Sequence, residues 1–366
     1  MKINISREAL LKPLQLVSGA VEKRQTLPIL GNVLLSTANN QLSLTATDLE
    51  VELVSRINVP DLPKSDDITV PGKKLLDIIR SLPTDAVLEI TEQKDRLLLR
   101  SGKSRFTLST LPANEFPNVE DKQISVEISL PQNELKHLLE QTHFAMAHQD
   151  VRYYLNGLLF DLDENELRLV ATDGHRLALA SFKKSFNNQK LSCILPRKGV
   201  LELLRLLEDT EEEIVLQFND NHAKAVTPQF TFTSKLIEGK FPDYQRVIPK
   251  NLVNHMTVDA DLLKDVLARV AILSNQKYRG VRLHFASDLL RIFANNPEHE
   301  EAEEELEVNY SGGVVELGFN VNYLLDVASH LHHGEARISL NDSSSSILIE
   351  SLQDDSFLYV VMPMRL

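Results

Sequence analysis

The sequence predicts an α+β protein built from three copies of one unit, in which two helices pack on antiparallel sheets. Two patterns support this prediction. Landmark residues recur in the same order, with a period of about 125 residues, along the chain. Within each copy, apolar residues at helical spacing are followed by stretches in which apolar and polar residues alternate, as in half-buried strands. At 366 residues the chain also exceeds what one hydrophobic core usually supports.

Amphipathic spacing marks the first helix of each copy. Leu10, Leu14 and Val17 lie at i, i+4 and i+7 on one helical face. Leu135 and Leu263 begin the same pattern in the second and third copies. Six helical windows are predicted in total: 6–24, 71–82, 131–149, 196–207, 261–277 and 320–333.

Five landmarks define the repeat, and their common order makes chance a poor explanation. Domain boundaries are expected near residues 123 and 250, giving domains 1–122, 123–250 and 251–366. The landmarks are Leu11-Lys12, Leu135-Lys136 and Leu263-Lys264; Gly31, Gly157 and Gly280; Thr47-Asp48, Thr172-Asp173 and, more loosely, Ala294-Asn295; Asp77, Glu202 and Asp326; and Phe106, Phe230 and Phe357.

Composition narrows the class of protein. The single cysteine, Cys193, rules out an intrachain disulfide and suits a reducing cytoplasm. The sequence lacks an apolar run of the roughly 18 residues that a membrane span requires, so no membrane partner is expected. The net charge is −13, to which the six helical windows contribute +5 and the remainder −18. A protein that presents its helices to DNA and its sheets to solvent has this distribution.

The sequence offers no enzyme constellation. Gly102-Lys103-Ser104 resembles the end of a phosphate-binding loop, but Leu97 occupies the position of its first glycine. Asp173 and His175 lie at a predicted strand end, where we expect them to point away from each other. His330, His332 and His333 are more typical of a helix end than of a metal site. We therefore expect no catalytic residue, metal or cofactor.

Six motifs stand out: Gln149 to Gly157 (QDVRYYLNG), Thr172 to Leu177 (TDGHRL), Phe241 to Tyr244 (FPDY), Ile272 to Asn275 (ILSN), Gly318 to Asn320 (GFN) and the terminal Tyr359 to Leu366 (YVVMPMRL). They resemble those of bacterial sliding clamps, the beta subunit of DNA polymerase III, and the match runs essentially end to end. The resemblance implies three clamp domains per protomer and a head-to-tail homodimer that forms a pseudo-sixfold ring around duplex DNA.

A size estimate supports the dimer independently. Helices packed about 8–10 Å apart in a circle of six leave a hole of about 9 Å, whereas twelve leave a hole near 28 Å. A B-form duplex is about 20 Å wide, so only the larger ring admits it. One chain of six helices cannot encircle DNA, but two chains can.

The resemblance also implies three sets of site residues. Sequence-independent contact with DNA is expected from Arg24, Arg80, His148, Gln149, Arg152, Tyr153, Tyr154, Arg197 and Lys198. The dimer interface is expected to pack Phe106 and Leu108 against Ile272 and Leu273, with the basic Lys74, Arg96, Lys103 and Arg105 facing the acidic Glu298, Glu300, Glu301, Glu303 and Glu304.

The third set forms a cleft for short linear peptides, through which the replicative polymerase subunit, the clamp loader, other polymerases and repair or initiation-control proteins are expected to bind. Its members are Leu155, Thr172, Gly174, His175, Arg176, Leu177, Pro242, Arg246, Val247, Asn320, Tyr323, Ser346, Val360, Val361, Met362, Pro363, Met364 and Arg365. The alternative function is a repeat scaffold that binds peptides and no DNA. Arg24, Arg152 and Lys198 argue against it, because such a scaffold gives them no reason to share a face.

Overall fold

One order of elements occurs three times in the computed structural model: a strand, a helix, four strands, a second helix and three strands, with one short extra strand in the third repeat. The structure describes residues 2–21, 27–60, 62, 65–117, 123–187, 189–331 and 333–365. The first repeat contains β1 (Lys2–Ser6), α1 (Arg7–Val17), β2 (Asn32–Ala38), β3 (Gln41–Thr47), β4 (Val51–Asn58), β5 (Ser65–Pro71), α2 (Gly72–Ser81), β6 (Val87–Gln93), β7 (Arg96–Ser101) and β8 (Ser104–Ser109). The second contains β9 (Val126–Pro131), α3 (Gln132–Glu140), β10 (Gly157–Asp163), β11 (Glu166–Thr172), β12 (Arg176–Lys183), β13 (Leu191–Pro196), α4 (Arg197–Leu206), β14 (Glu213–Phe218), β15 (His222–Val226) and β16 (Phe230–Lys235). The third contains β17 (Asn254–Asp259), α5 (Ala260–Ala271), β18 (Gly280–Ala286), β19 (Leu289–Asn295), β20 (Glu301–Glu307), β21 (Asn309–Tyr310), β22 (Val315–Asn320), α6 (Val321–His330), β23 (Glu335–Leu340), β24 (Ile347–Ser351) and β25 (Phe357–Val361).

Local side-chain chemistry fixes where the helices begin. The Ser6 hydroxyl accepts the Ala9 N–H at the start of α1, and the Asp259 carboxylate accepts the Leu262 N–H at the start of α5. The α2 helix begins directly after Pro71, whose fixed φ suits a helix entrance. Among the described residues, no helix is long and apolar enough to cross a membrane.

Three of the predicted helical windows are too long. In the window 6–24, α1 ends at Val17 and a 3₁₀ turn follows, while residues 22–24 lie outside the described part of the chain. The window 131–149 contains a helix that ends at Glu140, and the window 261–277 one that ends at Ala271. The Thr142 hydroxyl donates to the Leu138 carbonyl (2.7 Å), and the Ser274 hydroxyl donates to the Ala271 carbonyl (2.8 Å). These bonds satisfy carbonyls at the helix ends, so the helix need not continue.

The chain divides into two compact units. The first comprises Met1–Asn133 and Leu201–Leu236. It holds a four-stranded sheet in the order β1-β6-β7-β8 and an eight-stranded sheet in the order β5-β2-β3-β4-β16-β15-β14-β9. The eight-stranded sheet joins repeats one and two through β4 and β16, with Ser55 opposite Phe230. Leu10 and Leu14 of α1 are buried in the core of this unit.

The second unit comprises Glu134–Val200 and Ile237–Leu366. Its nine-stranded sheet has the order β13-β10-β11-β12-β25-β24-β23-β17-β21, and its four-stranded sheet has the order β20-β19-β18-β22. Repeats two and three are joined through β12 and β25, with Ala180 opposite Phe357. The junction therefore has the same form as the junction in the first unit.

Strand register and helix starts correct four of the repeat landmarks. Leu10, not Leu11, is the fourth residue of its helix, as Leu135 and Leu263 are of theirs. Phe106 is the third residue of β8, and the third residues of β16 and β25 are Phe232 and Tyr359, so its counterparts are these and not Phe230 and Phe357. Gly157 and Gly280 pair with the residue just before the second helix of their repeat, and in the first repeat Asn32, not Gly31, holds that place. The strands β3, β11 and β19 each have seven residues after a two-residue turn, and they end at Thr47, Thr172 and Asn295. The counterpart of Thr47 is therefore Asn295, not Ala294.

Candidate functional site

A tightly bonded turn joins β11 to β12. The Thr172 hydroxyl accepts the Gly174 N–H (3.0 Å) and donates to the Arg176 carbonyl (2.6 Å). One carboxylate oxygen of Asp173 accepts the N–H groups of His175 (2.9 Å) and Arg176 (3.0 Å). Gly174 has φ +89°, a conformation that glycine adopts without steric cost. Asp173 and His175 thus lie in a turn, not at a strand end, and the carboxylate organises backbone instead of acting as a base.

The C-terminal tail is held against this turn by backbone bonds. The strand β25 pairs with β12. Beyond it, the Met362 N–H donates to the His175 carbonyl (2.9 Å), and the Met364 N–H donates to the Gly318 carbonyl (2.8 Å). These bonds hold the chain beside the turn up to residue 364.

A cavity of about 420 Å³ opens between the turn and the tail. Leu155, Leu177 and Val360 form its floor and are at most 2% exposed, whereas Met362 at its rim is 45% exposed. The floor residues belong to one apolar cluster, so a ligand side chain placed here meets a rigid, dry surface. The lining residues are Arg152, Tyr154, Leu155, Thr172, Gly174, Arg176, Leu177, Pro242, Val247, Ser346, Val360 and Met362.

Arg176 supports the wall of the cavity, and its guanidinium is already paired within the protein. Its guanidinium pairs with Asp173 (3.1 Å) and with Asp326, and it donates to the Phe144 carbonyl (2.8 Å). It also lies 4.7 Å from the centre of the Tyr323 ring, and its side chain is only 9% exposed. These contacts fix the wall on which the cavity depends.

Arg152 and Tyr154 were predicted to contact DNA, but both line this cavity. The Arg152 guanidinium makes two bonds to the Asp150 carboxylate (3.0 and 2.8 Å) and one to the Asp173 carbonyl (3.2 Å). The hydrogen bonds from Arg152 lower the pKa of Asp150 to about 2. Since Gly174 has no side chain, the guanidinium can lie directly over the turn. No sequence pattern indicates this arrangement, because it depends on a positive φ at Gly174.

The loop before β10 presents several predicted DNA-contacting side chains. His148 and Gln149 are exposed, Tyr153 is 58% exposed, and Gln149 adopts φ +56°. Val151 is 95% exposed in the same loop and was not predicted from the sequence. Two hydrogen bonds between Asp150 and Asn156 (2.9 and 2.8 Å) close the loop, so these side chains are held on a rigid support.

The other basic residues of this set are spread along the chain. Arg80 and Lys198 are exposed. Arg197 is half-buried, and its guanidinium donates to the Met146 carbonyl (3.4 Å). Arg24 lies outside the described residues, so its contact with DNA stays a prediction.

The predicted dimer residues lie on two edge strands and beside them. On β8, Phe106 is half-buried and Leu108 is 7% exposed. Ile272, just after α5, is 76% exposed, and Leu273 is half-buried. The basic set Lys74, Arg96, Lys103 and Arg105 is exposed, as are Glu298, Glu300, Glu301 and Glu303.

Glu304 differs from the rest of the acidic run. Its carboxylate accepts two hydrogen bonds from Arg269 of the same repeat (2.6 and 3.1 Å), and these lower its pKa. Part of the negative charge on β20 is therefore already balanced within the repeat.

Eight predicted cleft residues lie outside the cavity. Arg246 is exposed and pairs with Asp243 (2.8 Å), the Asn320 side chain caps α6, and the Tyr323 ring stacks on His175. Met364 and Arg365 line a second cavity in the third repeat. The eight are His175, Arg246, Asn320, Tyr323, Val361, Pro363, Met364 and Arg365.

The titratable groups that suggested other chemistry have different environments in the structure. His330 stacks on Phe144 (4.2 Å between ring centres), and burial lowers its pKa. His333 pairs with Asp261, and His332 lies outside the described residues. Burial raises the pKa of Cys193 to about 12, so its thiol stays protonated.

Comparison with known proteins places these surfaces in a family context. Three family models, one for each domain of the DNA polymerase III beta subunit, match this chain. The N-terminal domain model matches residues 1–120, the central domain model residues 129–243 and the C-terminal domain model residues 245–365. Beta sliding clamps of Pseudomonas putida and Escherichia coli K12 are each 53% identical, over 100% of both chains. A crystal structure of the DNA polymerase III subunit beta from Pseudomonas aeruginosa has a TM-score of 0.97 and 52% identity, covering 100% of each chain.

Proposed function

Because the chain belongs to the family of the bacterial DNA polymerase III beta subunit, the beta sliding clamp, we propose that two copies close around duplex DNA and tether the replicative polymerase to it. Members of this family are processivity factors and not the catalytic subunit. The clamp loader, other polymerases and repair or initiation-control proteins share the same docking site. This work is done in the bacterial cytoplasm.

The main support for a ring is the strand pairing between consecutive repeats, which occurs twice within the chain in the same form. The third strand after the first helix pairs with the last strand of the following repeat twice within the chain, as β4 with β16 and as β12 with β25. The same rule leaves one strand of each kind at a sheet edge, β20 and β8. Exposed edges of this kind are templates for pairing with another chain. Pairing of β20 in one copy with β8 in the next closes a head-to-tail dimer.

The register of that third junction follows from the other two. Ser55 and Ala180 each lie three residues beyond the partner of Thr47 or Thr172, and each faces a phenylalanine. The residue three beyond the partner of Asn295 is Glu304. Those phenylalanines, Phe230 and Phe357, are the first residues of β16 and β25, and Ser104 is the first residue of β8. Glu304 should therefore lie opposite Ser104 of the second copy, and Ala302 opposite Phe106. This register sets Arg105 opposite Glu303, so opposite charges meet across the junction and favour the correct orientation.

Contact with DNA should be weak and indifferent to sequence. A ring that slides gains from a few phosphate contacts and is stopped by base readout. The loop that carries His148, Gln149 and Tyr153 is suited to such contacts, because it offers polar groups without a dense basic patch, and its one arginine, Arg152, is paired with Asp150. Encirclement of the duplex, and not binding affinity, then keeps the protein on DNA.

Partners should dock through a linear peptide with one apolar anchor in the 420 Å³ cavity. Burying one Leu or Phe side chain contributes about 1.5–3 kcal/mol, which suits partners that exchange at micromolar affinity. The flexible thioether of Met362 at the rim can adapt to anchors of different shape.

A topological experiment tests the proposed function. The protein is loaded onto a nicked circular duplex, and its retention is measured by gel filtration before and after the circle is cut once. We expect retention on the circle, loss after linearisation, and renewed retention when both ends carry bulky protein blocks. Equal retention on circular and unblocked linear DNA would contradict encirclement and favour a peptide-binding scaffold.

A further inference from the structure

A second cavity, of about 520 Å³, opens on the third repeat, separate from the peptide cavity. Two aromatic rings and two guanidinium groups contribute to it. Tyr278 is 57% exposed at its edge, and Phe293 is half-buried in β19. Neither Arg282 nor Arg365 forms an ion pair with any described residue. The full lining is Asn275, Tyr278, Gly280, Arg282, Phe293, Asn295, Asn296, Pro297, Met364 and Arg365.

The equivalent surface in the first two repeats is apolar and covered by another part of the chain. Arg282 pairs across β18 and β22 two positions beyond the residue pair that precedes the second helix. Leu34 and Leu159 hold the same position in the first and second repeats. Both leucines pack under a later phenylalanine of their own repeat, Leu34 in a cluster with Phe116 and Leu159 in a cluster with Phe241.

The two covering segments share a sequence. Phe116 is followed by Pro117, and Phe241 by Pro242-Asp243-Tyr244. In the third repeat, the tail up to residue 365 runs along the edge of the cavity, and no described segment covers Arg282 and Phe293 in this way. In the described part of the third repeat, the position that the leucines hold under Phe116 and Phe241 is taken by an exposed arginine, Arg282.

The substitutions at this face change its chemistry. Arg282 replaces the leucine of the other repeats, and its cross-strand neighbour Gly318 replaces Ile194. The glycine removes a side chain from the face and makes room, while the arginine supplies an unpaired charge. We propose that this cavity binds a partner's Phe-Pro peptide that carries a carboxylate within two residues of the aromatic ring. Phe-Pro fills the place of the covering segment, and Arg282 and Arg365 hold the carboxylate.

Local charge favours a peptide over nucleic acid. The carboxylates Glu298, Glu300 and Glu301, which belong to the predicted dimer interface and are exposed in the single chain, follow Pro297 at the cavity rim. A polyanionic backbone would meet these charges, whereas a single carboxylate seated between two guanidinium groups need not. The side-chain amides of Asn275 and Asn295 can also bond to peptide backbone groups. The site lies within one repeat, so its test does not depend on ring closure.

Fluorescence polarisation with a labelled hexapeptide, Lys-Phe-Pro-Asp-Tyr-Gln, tests this site on the full chain. The probe copies residues 240–245. We expect saturable binding that Arg282→Leu weakens by about tenfold, because a charge-assisted hydrogen bond is lost. Replacing the probe's Asp with Asn should have a similar effect on the wild-type chain and little effect on the Arg282→Leu variant.

Matched controls distinguish binding in this cavity from binding elsewhere on the chain. Arg337→Leu removes an exposed arginine that pairs with Glu350 on a different sheet, and it should leave probe binding unchanged. Sedimentation of Arg282→Leu should match the wild type, which excludes an indirect effect through assembly. Three results would each overturn the proposal: no saturable binding to the wild type below millimolar protein, equal affinity for the wild type and Arg282→Leu, or loss of probe binding in Met362→Ala, which would place the peptide in the first cavity. Equal affinity for a single-stranded oligonucleotide in competition would also refute it.

Discussion

Removing the apolar side chains that follow α5 should convert the dimer into monomers. Ile272 is 76% exposed in the single chain, which is unusual for an isoleucine beside a helix end. In the proposed interface it packs with Leu273 against Phe106 and Leu108 of the second copy. The variant to make is Ile272→Ala with Leu273→Ala.

The expected loss of dimer stability follows from how much of each side chain is exposed in the single chain. Full burial of such a side chain is worth about 1.5–3 kcal/mol, and Ile272 has about three quarters of this still to gain on assembly. Leu273 is already half-buried and gains less. Together they should contribute about 2–4 kcal/mol per interface. Because dissociation of the ring breaks two such interfaces, the loss is about 4–8 kcal/mol per dimer, which corresponds to a dimer Kd raised by roughly 700- to 500,000-fold. The free energy of unfolding of the monomer should change little, because neither side chain is buried in its core.

Sedimentation velocity over a range of protein concentrations measures this Kd directly, with thermal unfolding as the check on folding. The matched control is Leu262→Ala, an exposed leucine (45%) at the opposite end of α5, and it should leave the dimer intact. An unaltered dimer in the double variant, or equal weakening by Leu262→Ala, would refute the interface.

Three further predictions concern the other surfaces. His148→Ala with Gln149→Ala should weaken DNA binding equally on unrelated duplexes, as measured by salt-dependent titration; a strong preference for one sequence would contradict sliding. Met362→Ala should weaken binding of a polymerase tail peptide in calorimetry while sedimentation still shows the dimer, and unchanged peptide affinity would mean that the cavity is misplaced. The lowered pKa of Asp150 means that its pairing with Arg152 contributes stability above the ordinary pKa of 3.8, and that this contribution is lost as the pH falls toward about 2. Carboxyl NMR titration of Arg152→Ala should therefore show the Asp150 pKa raised from about 2 toward 3.8 without reaching it, because the backbone N–H of residue 152 still donates to the carboxylate (2.8 Å). A value that stays near 2 would rule out the Arg152 side chain as the cause.

The repeat and its element order could be predicted from the sequence because they rest on patterns that recur three times. The ends of individual helices could not be predicted in this way. The apolar series through Leu135 and Leu139 continues in register to Met146, which is buried as well, but Met146 reaches the core after the helix has ended. The Thr142 hydroxyl competes for the helical carbonyls there, and periodicity alone cannot register such a bond.

The site was predicted residue by residue from resemblance, and its geometry redistributed some of those residues. Arg152 lies over the turn at Gly174 because of one positive φ, which no spacing rule predicts. The second cavity, in contrast, left a signal in the sequence that was overlooked. Once strands are aligned, the outward position that holds Leu34 and Leu159 holds Arg282 in the third repeat. A charge at a position that is apolar in two copies out of three is informative.

The same comparison explains why the 420 Å³ cavity opens at the turn of the second repeat and not at the equivalent turn of the first. In the first repeat the Thr47 hydroxyl accepts the Leu49 N–H (3.1 Å), just as Thr172 accepts that of Gly174 (3.0 Å), so the two turns share one hydrogen-bonded scaffold. Leu49 adopts φ +76° in that scaffold, at a steric cost of about 1–2 kcal/mol, and adds a side chain at the place that Gly174 leaves open. The glycine relieves that cost and gives an arginine and a ligand room to approach. In a fold of three near-identical units, ligand sites therefore lie where one repeat departs from the other two, since the shared positions are already committed to the scaffold.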